Sequence, residues 1–463
     1  MFVEMTGLSN RKKITFIFGF IILGILCSLF AAGDYQGGLE KVFWVCVLTA
    51  MVGYLIRNVM IVDKLFYLFI FTIPFMNMLS FSYKYILPVG VCFFIFLSTL
   101  ILRRKITVDG ILHTKNGRLL FLYVIVNFMV FPYSINMRTS ALYNITFPIV
   151  ILIWDWAVEY SNSKNRIEGV LKAFNFVGLF FSIMGIIVMI LNYNGFQLPQ
   201  HLSYDKIYDY YMNSVFPNTN THGMLLTFTI PCALYFFLES KDRRQKGLYF
   251  ISLLIMGANL FLTFSRSSWG AVAIAGTIIL LYKYRKMKYI FIILCISVVL
   301  MFQSFLGVHI GSGKFSSGLF GLSSRGILWG TAAKAIADRP ITGFGIGNSV
   351  DVLDSYSSII MDRTPHNTFL RMWLELGIFG LLIYIAFLYN IIHGFFKFKG
   401  KHMMLVTVFA ILMGSIFQQM FETMLLGGLS IIGGYFFVFS ALFESMISRP
   451  MAGSAENENM LSC

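Results

Sequence analysis

Residues 367–392 read NTFLRMWLELGIFGLLIYIAFLYNII, a predominantly apolar segment whose only charged residues are Arg371 and Glu375. About 20 such residues cross the hydrocarbon core of a bilayer as an α-helix. Comparable segments recur along the chain, whereas the strands of a membrane barrel would alternate in polarity over about 10 residues. The segment therefore predicts a membrane-spanning helix, and its recurrence predicts many of them.

The composition of the whole chain supports the same class. Of 463 residues, 57% are hydrophobic and 12% are charged, and the mean hydropathy is +0.76. A soluble domain needs more polar residues to cover its surface. We predict an all-α, polytopic membrane protein with about 12 to 14 transmembrane helices. The predicted spans lie near 14–32, 41–56, 65–82, 85–102, 119–135, 140–157, 172–192, 223–239, 247–264, 269–282, 289–306, 367–392, 403–421 and 425–445.

The positive charge of the chain predicts its orientation. The formal net charge is +15, and Lys and Arg concentrate in short loops at 103–105, 241–246, 283–288 and 397–401. Short loops rich in Lys and Arg mark the cytoplasmic side of a membrane. The charge is thus explained by topology, and no nucleic acid partner is expected. Arg11, Lys12 and Lys13 precede the first apolar run, which is long enough to favour an uncleaved helix over a signal peptide.

Two predicted outer segments are much longer than the other connections, and long loops often carry function. The active surface is therefore expected to face outward. The predicted organisation is N-terminal helices over 1–192, an outer loop over 193–222, helices over 223–306, a large outer loop over 307–366, C-terminal helices over 367–445 and a cytoplasmic tail over 446–463.

Two arginines stand out near the predicted outer surface. Arg266 follows Thr-Phe-Ser at the outer end of a span, where it either faces a partner or extends to the interface. Arg325 lies in the first turn of a helix that Ser323 or Ser324 can cap and that should end before Pro340. Its apolar stripe predicts a helix lying along the membrane surface; the stripe consists of Leu328, Trp329, Ala332, Ala333 and Ile336.

A glycine-rich segment follows this helix. Gly343, Gly345 and Gly347 could present backbone amides to a phosphate. No strand precedes the segment and no Lys-Ser/Thr follows it, so neither a dinucleotide nor a P-loop motif applies. A tight turn is the favoured interpretation. The six cysteines form no CxxC or Cys/His metal spacing, so the sequence indicates no metal site.

His366 and two acids complete the candidate residues. His366 lies at the start of the predicted helix 367–392, whose positive end favours a neutral and basic ring. A neutral His can accept a proton from a sugar hydroxyl. Glu375 and Glu422 lie near apolar segments, where a carboxylate needs a partner, and an Arg is expected.

Several motifs between about Phe216 and Phe387 carry a family resemblance. They are Pro217-Asn218-Thr-Asn220, Arg325-Gly-Ile-Leu-Trp329-Gly-Thr-Ala332, Pro340-Ile-Thr-Gly-Phe-Gly-Ile-Gly, Pro365-His366-Asn367-Thr-Phe-Leu and Glu375-Leu-Gly377-Ile-Phe-Gly380. Together they resemble the O-antigen ligase and polymerase family of bacterial membrane glycosyltransferases. The first 190 residues resemble it only as a series of helices.

The resemblance implies a metal-independent, inverting transfer of a saccharide from undecaprenyl diphosphate to an acceptor hydroxyl at the outer face of the cytoplasmic membrane, with no cofactor. It implies that Arg266 and Arg325 bind the diphosphate and that His366 is catalytic, with Glu422, Asn367 and Asn220 in support. The chemistry is consistent, because the leaving diphosphate needs cations and the chain has no Asp-x-Asp motif for a metal.

Several hypotheses remain open at this point. A polymerase that joins polysaccharide repeat units is slightly favoured over a ligase that transfers a finished glycan to a lipid core. A lipid-linked sugar flippase would instead have mid-membrane charges and broken helices in inverted halves. A scaffold protein would leave the two arginines and His366 unexplained. The sugar, the linkage, the acceptor, the oligomeric state and any chain-length regulator stay open.

Overall fold

The computed structural model describes part of the chain in two compact units, Met1–Ile106 and Thr107–Cys463. The described residues are 66–67, 70–71, 73–74, 112–194, 212, 214–216, 218–284, 323–357, 364–424 and 430–448. In the first unit, Phe66, Ile70 and Ile73 are fully buried. The helices described below and the candidate site belong to the second unit.

The described part of the second unit is helical and contains no strand. Six of its helices are long and apolar enough to cross a bilayer: α1 with the 3-10 turn after it, α3, α4, α5, α9 and α11. This confirms an all-α, multi-pass membrane protein. The helices are α1 (Lys115–Val130), α2 (Met137–Tyr160), α3 (Lys164–Tyr193), α4 (Thr219–Glu239), α5 (Arg243–Leu262), α6 (Arg266–Lys283), α7 (Ser323–Asp338), α8 (Ser349–Tyr356), α9 (Thr368–Lys397), α10 (Met403–Gln418) and α11 (Ile431–Ser448).

The predicted spans between 119 and 282 and between 367 and 445 each overlap one of these helices. Those at 140–157, 269–282 and 403–421 fall on α2, α6 and α10, which are not among the six. The spans predicted at 14–32, 41–56, 85–102 and 289–306, with most of 65–82, lie outside the described residues. The same holds for much of the two outer loops and most of the tail. The total of 12 to 14 helices and the domain boundaries therefore stay predictions.

Asparagine caps fix where two of the helices begin. Asn218 accepts a hydrogen bond from the amide of Thr221 at 2.9 Å and starts α4. Asn367 accepts one from the amide of Leu370 at 3.1 Å and starts α9. Such caps satisfy amides that have no partner inside the helix. They place Asn220 in the first turn of α4 and His366 immediately before α9.

Close packing brings α4, α6 and α10 together at one end. A Cβ on Gly414 of α10 would lie 2.5 Å from the carbonyl oxygen of Ala271 in α6. A Cβ on Gly223 of α4 would overlap the hydroxyl of Ser268 in α6. Small residues allow membrane helices to approach closely where no hydrophobic effect drives them together. The starts of α4 and α6 therefore lie beside the end of α10.

Helix α9 is broken at Gly377, a feature that no pattern in the sequence predicted. Gly377 has φ 64° and ψ −168°, a conformation available almost only to glycine. The amide of Ile378 donates to the carbonyl of Pro340 at 2.9 Å, and the amide of Phe344 donates to the carbonyl of Leu374 at 3.0 Å. The segment after α7 thus satisfies backbone groups that the break exposes.

The apolar stripe of α7 packs into a small core, which corrects the expectation that it faces the membrane surface. Leu328, Ala332 and Ile336 are buried against residues that include Val352 of α8 and Leu374 of α9. Ala333, a predicted member of the stripe, is exposed. The helix ends at Asp338, before Pro340, as predicted.

Replacing Gly377 by alanine tests the break in α9. The strained backbone alone costs about 1–3 kcal/mol, and the new Cβ would overlap the carbonyl group of Ile341. We expect a lower unfolding temperature in detergent, measured by intrinsic tryptophan fluorescence. Gly257→Ala in α5 is the control, because nothing lies within 4 Å of a Cβ there. Equal stability of the two variants would contradict the proposed constraint.

Candidate functional site

Five segments bring the candidate residues to one end of the helices. Asn220 lies in the first turn of α4, Arg266 is the first residue of α6 and Arg325 lies in the first turn of α7. His366 precedes α9, and Glu422 follows α10. The antiparallel packing of α10 against α6 places these ends beside each other.

The carboxylate of Glu422 is the centre of this group. Its Oε1 accepts hydrogen bonds from Asn220 Nδ2 at 3.0 Å and from Arg325 Nη2 at 3.4 Å. Its Oε2 lies 3.3 Å from His366 Nδ1. The side chain of Glu422 is only 5% exposed, and a buried carboxylate needs such partners. The expectation that an Arg pairs with Glu422 is confirmed.

The contact with Glu422 favours one tautomer of the His366 ring. For Nδ1 to hydrogen-bond a carboxylate, that nitrogen must carry a proton. In a neutral ring, Nε2 is then the basic nitrogen. The His366 side chain is 35% exposed, so the ring remains accessible while its other nitrogen is held by Glu422.

The backbone at His366 is unusual and firmly held. His366 has φ 47°, in the left-handed region that few residues other than glycine occupy. The amide of Thr368 donates to the carbonyl of Gln419 at 2.9 Å, and the hydroxyl of Thr368 donates to the carbonyl of Glu422 at 3.0 Å. The hydroxyls of Thr364 and Thr423 lie 3.0 Å apart. These bonds join the His366 turn to residues 419–424 and keep the imidazole beside Glu422.

The two predicted diphosphate-binding arginines are close enough to affect each other. Desolvation, and after it the positive charge of Arg325, lower the pKa of Arg266. Arg325 also lies over the ring of Phe421, with its Cζ 5.7 Å from the ring centroid. A pair of neighbouring arginines suits an anionic ligand.

The supporting residues divide into two roles. Asn220 belongs to the group through its hydrogen bond to Glu422. Asn367 caps α9, and its Nδ2 donates to the carbonyl of Met420 at 3.2 Å. Asn367 therefore fixes the helix start next to His366. No contact between Asn367 and Glu422 occurs among the hydrogen bonds of the described residues.

The glycine-rich turn binds an internal carboxylate. The amides of Gly347 and Ser349 donate to Glu375 at 2.8 and 3.2 Å, and the amide of Gly345 donates to the backbone carbonyl of Glu375 at 2.9 Å. These amides are therefore not directed at a phosphate. The favoured interpretation, a tight turn, is confirmed, with Glu375 as its partner.

Glu375 also pairs with an arginine, as predicted. Arg371 Nε donates to Glu375 Oε1 at 2.8 Å, and the glutamate side chain is fully buried. The spacing of four residues along α9 signals this pair in the sequence. By contrast, no local pattern indicated the roles of Thr364, Thr368 and Thr423, because their partners lie 54 to 59 residues away.

Comparisons with known proteins cover part of this region. Residues 251–385 match the family model described as O-Antigen ligase, a segment that contains Arg266, Arg325 and His366 and ends before Glu422. The resemblance to the O-antigen ligase and polymerase family is thereby confirmed.

Two curated relatives bear the provisional name polysaccharide ligase. The relative from Rickettsia conorii is 26% identical over 195 residues, covering 38% of this chain and 46% of the relative. The relative from Rickettsia felis is 28% identical over 183 residues, covering 36% of this chain and 44% of the relative. The chain thus spans less than half the length of either relative.

Replacing Glu422 by glutamine tests its central position. Breaking a buried ion pair costs about 3–5 kcal/mol. We expect a smaller loss of stability, about 1–2 kcal/mol, because Arg325 is partly exposed and glutamine retains one acceptor oxygen. Thermal unfolding in detergent measures the loss.

The matched control is Glu239→Gln. Glu239 pairs with Lys283 at 2.6 Å, but both side chains are more than a third exposed. Exposed pairs contribute at most about 1 kcal/mol. If Glu422→Gln proves no more destabilising than Glu239→Gln, Glu422 does not hold the site together.

Proposed function

We propose that this protein transfers a glycan from an undecaprenyl-diphosphate carrier to an acceptor hydroxyl. The observation that carries the proposal is the arrangement around Glu422. Arg266 and Arg325 lie within electrostatic reach of each other, and His366 is held beside the same carboxylate that binds Arg325. A cationic pair and a positioned base next to each other are what this transfer needs.

The arginines would bind and stabilise the leaving group. When the bond between the anomeric carbon and the diphosphate oxygen breaks, its electron pair leaves with the lipid diphosphate. Guanidinium groups bind phosphate oxygens through two parallel hydrogen bonds. The proposal assigns the stabilisation of this charge to Arg266 and Arg325 without a metal ion, so chelation of divalent cations should leave the rate unchanged.

His366 would act as the general base. Its Nε2 takes the proton of the acceptor hydroxyl as the oxygen attacks the anomeric carbon from the side opposite the diphosphate, which inverts the configuration. Glu422, in contact with Nδ1, orients the ring and stabilises the imidazolium that forms. The same division of roles between a base and a buried carboxylate operates in hydrolytic triads.

The identity of the acceptor distinguishes two versions of the proposal. The sequence slightly favoured a polymerase, whose acceptor is another lipid-linked saccharide. The matched family and both relatives carry the name ligase, which favours transfer of a finished glycan to a lipid core. We place ligation first and polymerisation second. In both cases the site would face the outside of the cytoplasmic membrane, opposite the Lys- and Arg-rich loops.

The broken helix α9 and its buried Arg371–Glu375 pair are features that the flippase hypothesis also predicts. However, backbone groups at the break are bonded to the segment after α7, and Glu375 is fully buried. These groups hold the fold together, whereas the partly exposed charges lie around Glu422. Transfer is therefore better supported than transport.

Reconstitution with authentic substrates tests the proposal. Purified protein in liposomes would receive undecaprenyl-diphosphate-linked oligosaccharide, with or without an acceptor lipid, and products would be separated by glycan length. Glycan on the acceptor lipid supports ligation, and a ladder of longer lipid-linked chains supports polymerisation. Movement of a fluorescent donor across the bilayer without a new linkage would contradict the proposal and support a flippase.

His366→Gln should slow transfer strongly while leaving donor binding intact. Glutamine keeps the size and polarity of the side chain but cannot take a proton, and loss of a general base costs about 10²–10⁴-fold in rate. Single-turnover kinetics would measure the rate. The control is His402→Asn at the opposite end of α10, where the side chain only caps the helix by accepting from Leu405 and asparagine can replace it. Equal rates in both variants would remove His366 from the mechanism.

Arg325→Lys should weaken the donor interaction, because lysine keeps the charge but loses the paired hydrogen bonds. We expect Arg325→Gln to lower kcat/KM by about 10²–10³-fold, with Arg325→Lys in between. We expect Arg266→Lys and Arg266→Gln to lower kcat/KM in the same order. Arg339→Lys serves as control, since Arg339 is exposed and donates to the carbonyl of Tyr133. A loss in the control as large as that in Arg325→Lys would exclude a specific role.

A further inference from the structure

Two tryptophans join α7 and α9 through a reciprocal pair of hydrogen bonds. Trp329 of α7 donates its indole Nε1–H to the carbonyl of Pro365, just before α9, at 3.0 Å. Trp373 of α9 donates its Nε1–H to the carbonyl of Pro340, just after α7, also at 3.0 Å. Both rings pack against the same small core. The two bonds therefore match in donor, acceptor and length, although the Trp329 bond is partly buried and the Trp373 bond is exposed.

The two bonds differ in the part of the backbone to which the accepting carbonyl belongs. The carbonyl of Pro365 belongs to the peptide unit that ends at the nitrogen of His366. The orientation of this unit relative to the rest of His366 is the φ angle, which is 47°. Because the hydrogen bond from Trp329 restrains this carbonyl, it also restrains His366 in the left-handed backbone conformation, which residues other than glycine seldom adopt. The carbonyl of Pro340 instead accepts from the amide of Ile378 at the break of α9, and it is not part of the His366 turn.

Trp329 also links His366 to Arg325. Trp329 and Arg325 are four positions apart on α7, and side chains at this spacing lie on the same face of a helix. Arg325 contacts Glu422, and Trp329 contacts the peptide before His366. One face of α7 therefore holds both a proposed diphosphate ligand and the turn that carries the proposed base.

We propose that Trp329 is a positioning residue that sets the geometry between the diphosphate-binding Arg325 and the base His366. The inference rests on the proposed function and adds to it a residue that acts through the backbone before His366. Its indole N–H fixes the His366 turn, and its ring keeps α7 in place. Small displacements of a reacting group can lower a rate by about 100-fold, so a single hydrogen bond at this place matters for catalysis.

Trp329→Phe and Trp373→Phe form the test. Each variant retains an aromatic ring in the shared core and loses one N–H group. We expect Trp329→Phe to lower kcat for transfer by about 10- to 100-fold with the donor Kd unchanged, because Arg325 and Arg266 remain. Trp373→Phe should keep kcat within about threefold of the wild-type value. Thermal unfolding of both variants serves to show that their stabilities are similar.

Hydrogen exchange adds a readout that needs no activity. Backbone amides in a peptide covering residues 364–370 should exchange faster in Trp329→Phe than in Trp373→Phe. In Trp373→Phe, the amides that exchange faster should instead lie in residues 340–345 and 376–380. Equal kcat in the two variants, or equal exchange at 364–370, would overturn the inference. If the wild-type protein transfers no glycan, the proposed function fails, and the exchange data alone decide whether Trp329 holds the His366 turn.

Discussion

The described fold depends most on the interactions made by the buried carboxylate of Glu375. A carboxylate among membrane helices is costly unless it is paired, and here it is satisfied by Arg371 and by two amides of the turn after α7. That turn can approach because α9 is broken at Gly377, and a Cβ on Gly343 would lie 2.6 Å from the nitrogen of Gly377. The break and the turn thus require each other, and together they fix the first half of α9.

Glu422 is also a buried carboxylate that needs partners, but its surroundings differ from those of Glu375. Its own side chain is buried, but its partners Arg325 and His366 are about a quarter and a third exposed. The charges around Glu375 are directed inward and are compensated, so they hold helices together. Those around Glu422 remain partly exposed, and Arg325 lies close enough to Arg266 to lower its pKa. This difference separates a structural ion pair from a candidate active site, although both centre on a buried glutamate.

The site is assembled from segments that are far apart in the chain. Asn220 and Glu422 are separated by 202 residues, Arg325 and Glu422 by 97, and His366 and Glu422 by 56. Each residue lies at a helix end, where the backbone turns and polar groups are needed. Membrane helices in antiparallel packing bring their ends together, so the fold supplies such a site without a separate soluble domain.

The sequence by itself determined the all-α membrane class, the approximate positions of most described helices and the need of Glu375 and Glu422 for arginine partners. These result from the apolar length of the segments and the cost of a bare charge in an apolar environment, which are local properties. Only the tertiary structure decided the break at Gly377, the use of the glycine-rich turn for Glu375 and the burial of the α7 stripe in a protein core. It also decided the sharing of Glu422 by three side chains, because such contacts depend on the packing of distant helices and no spacing along the chain records them.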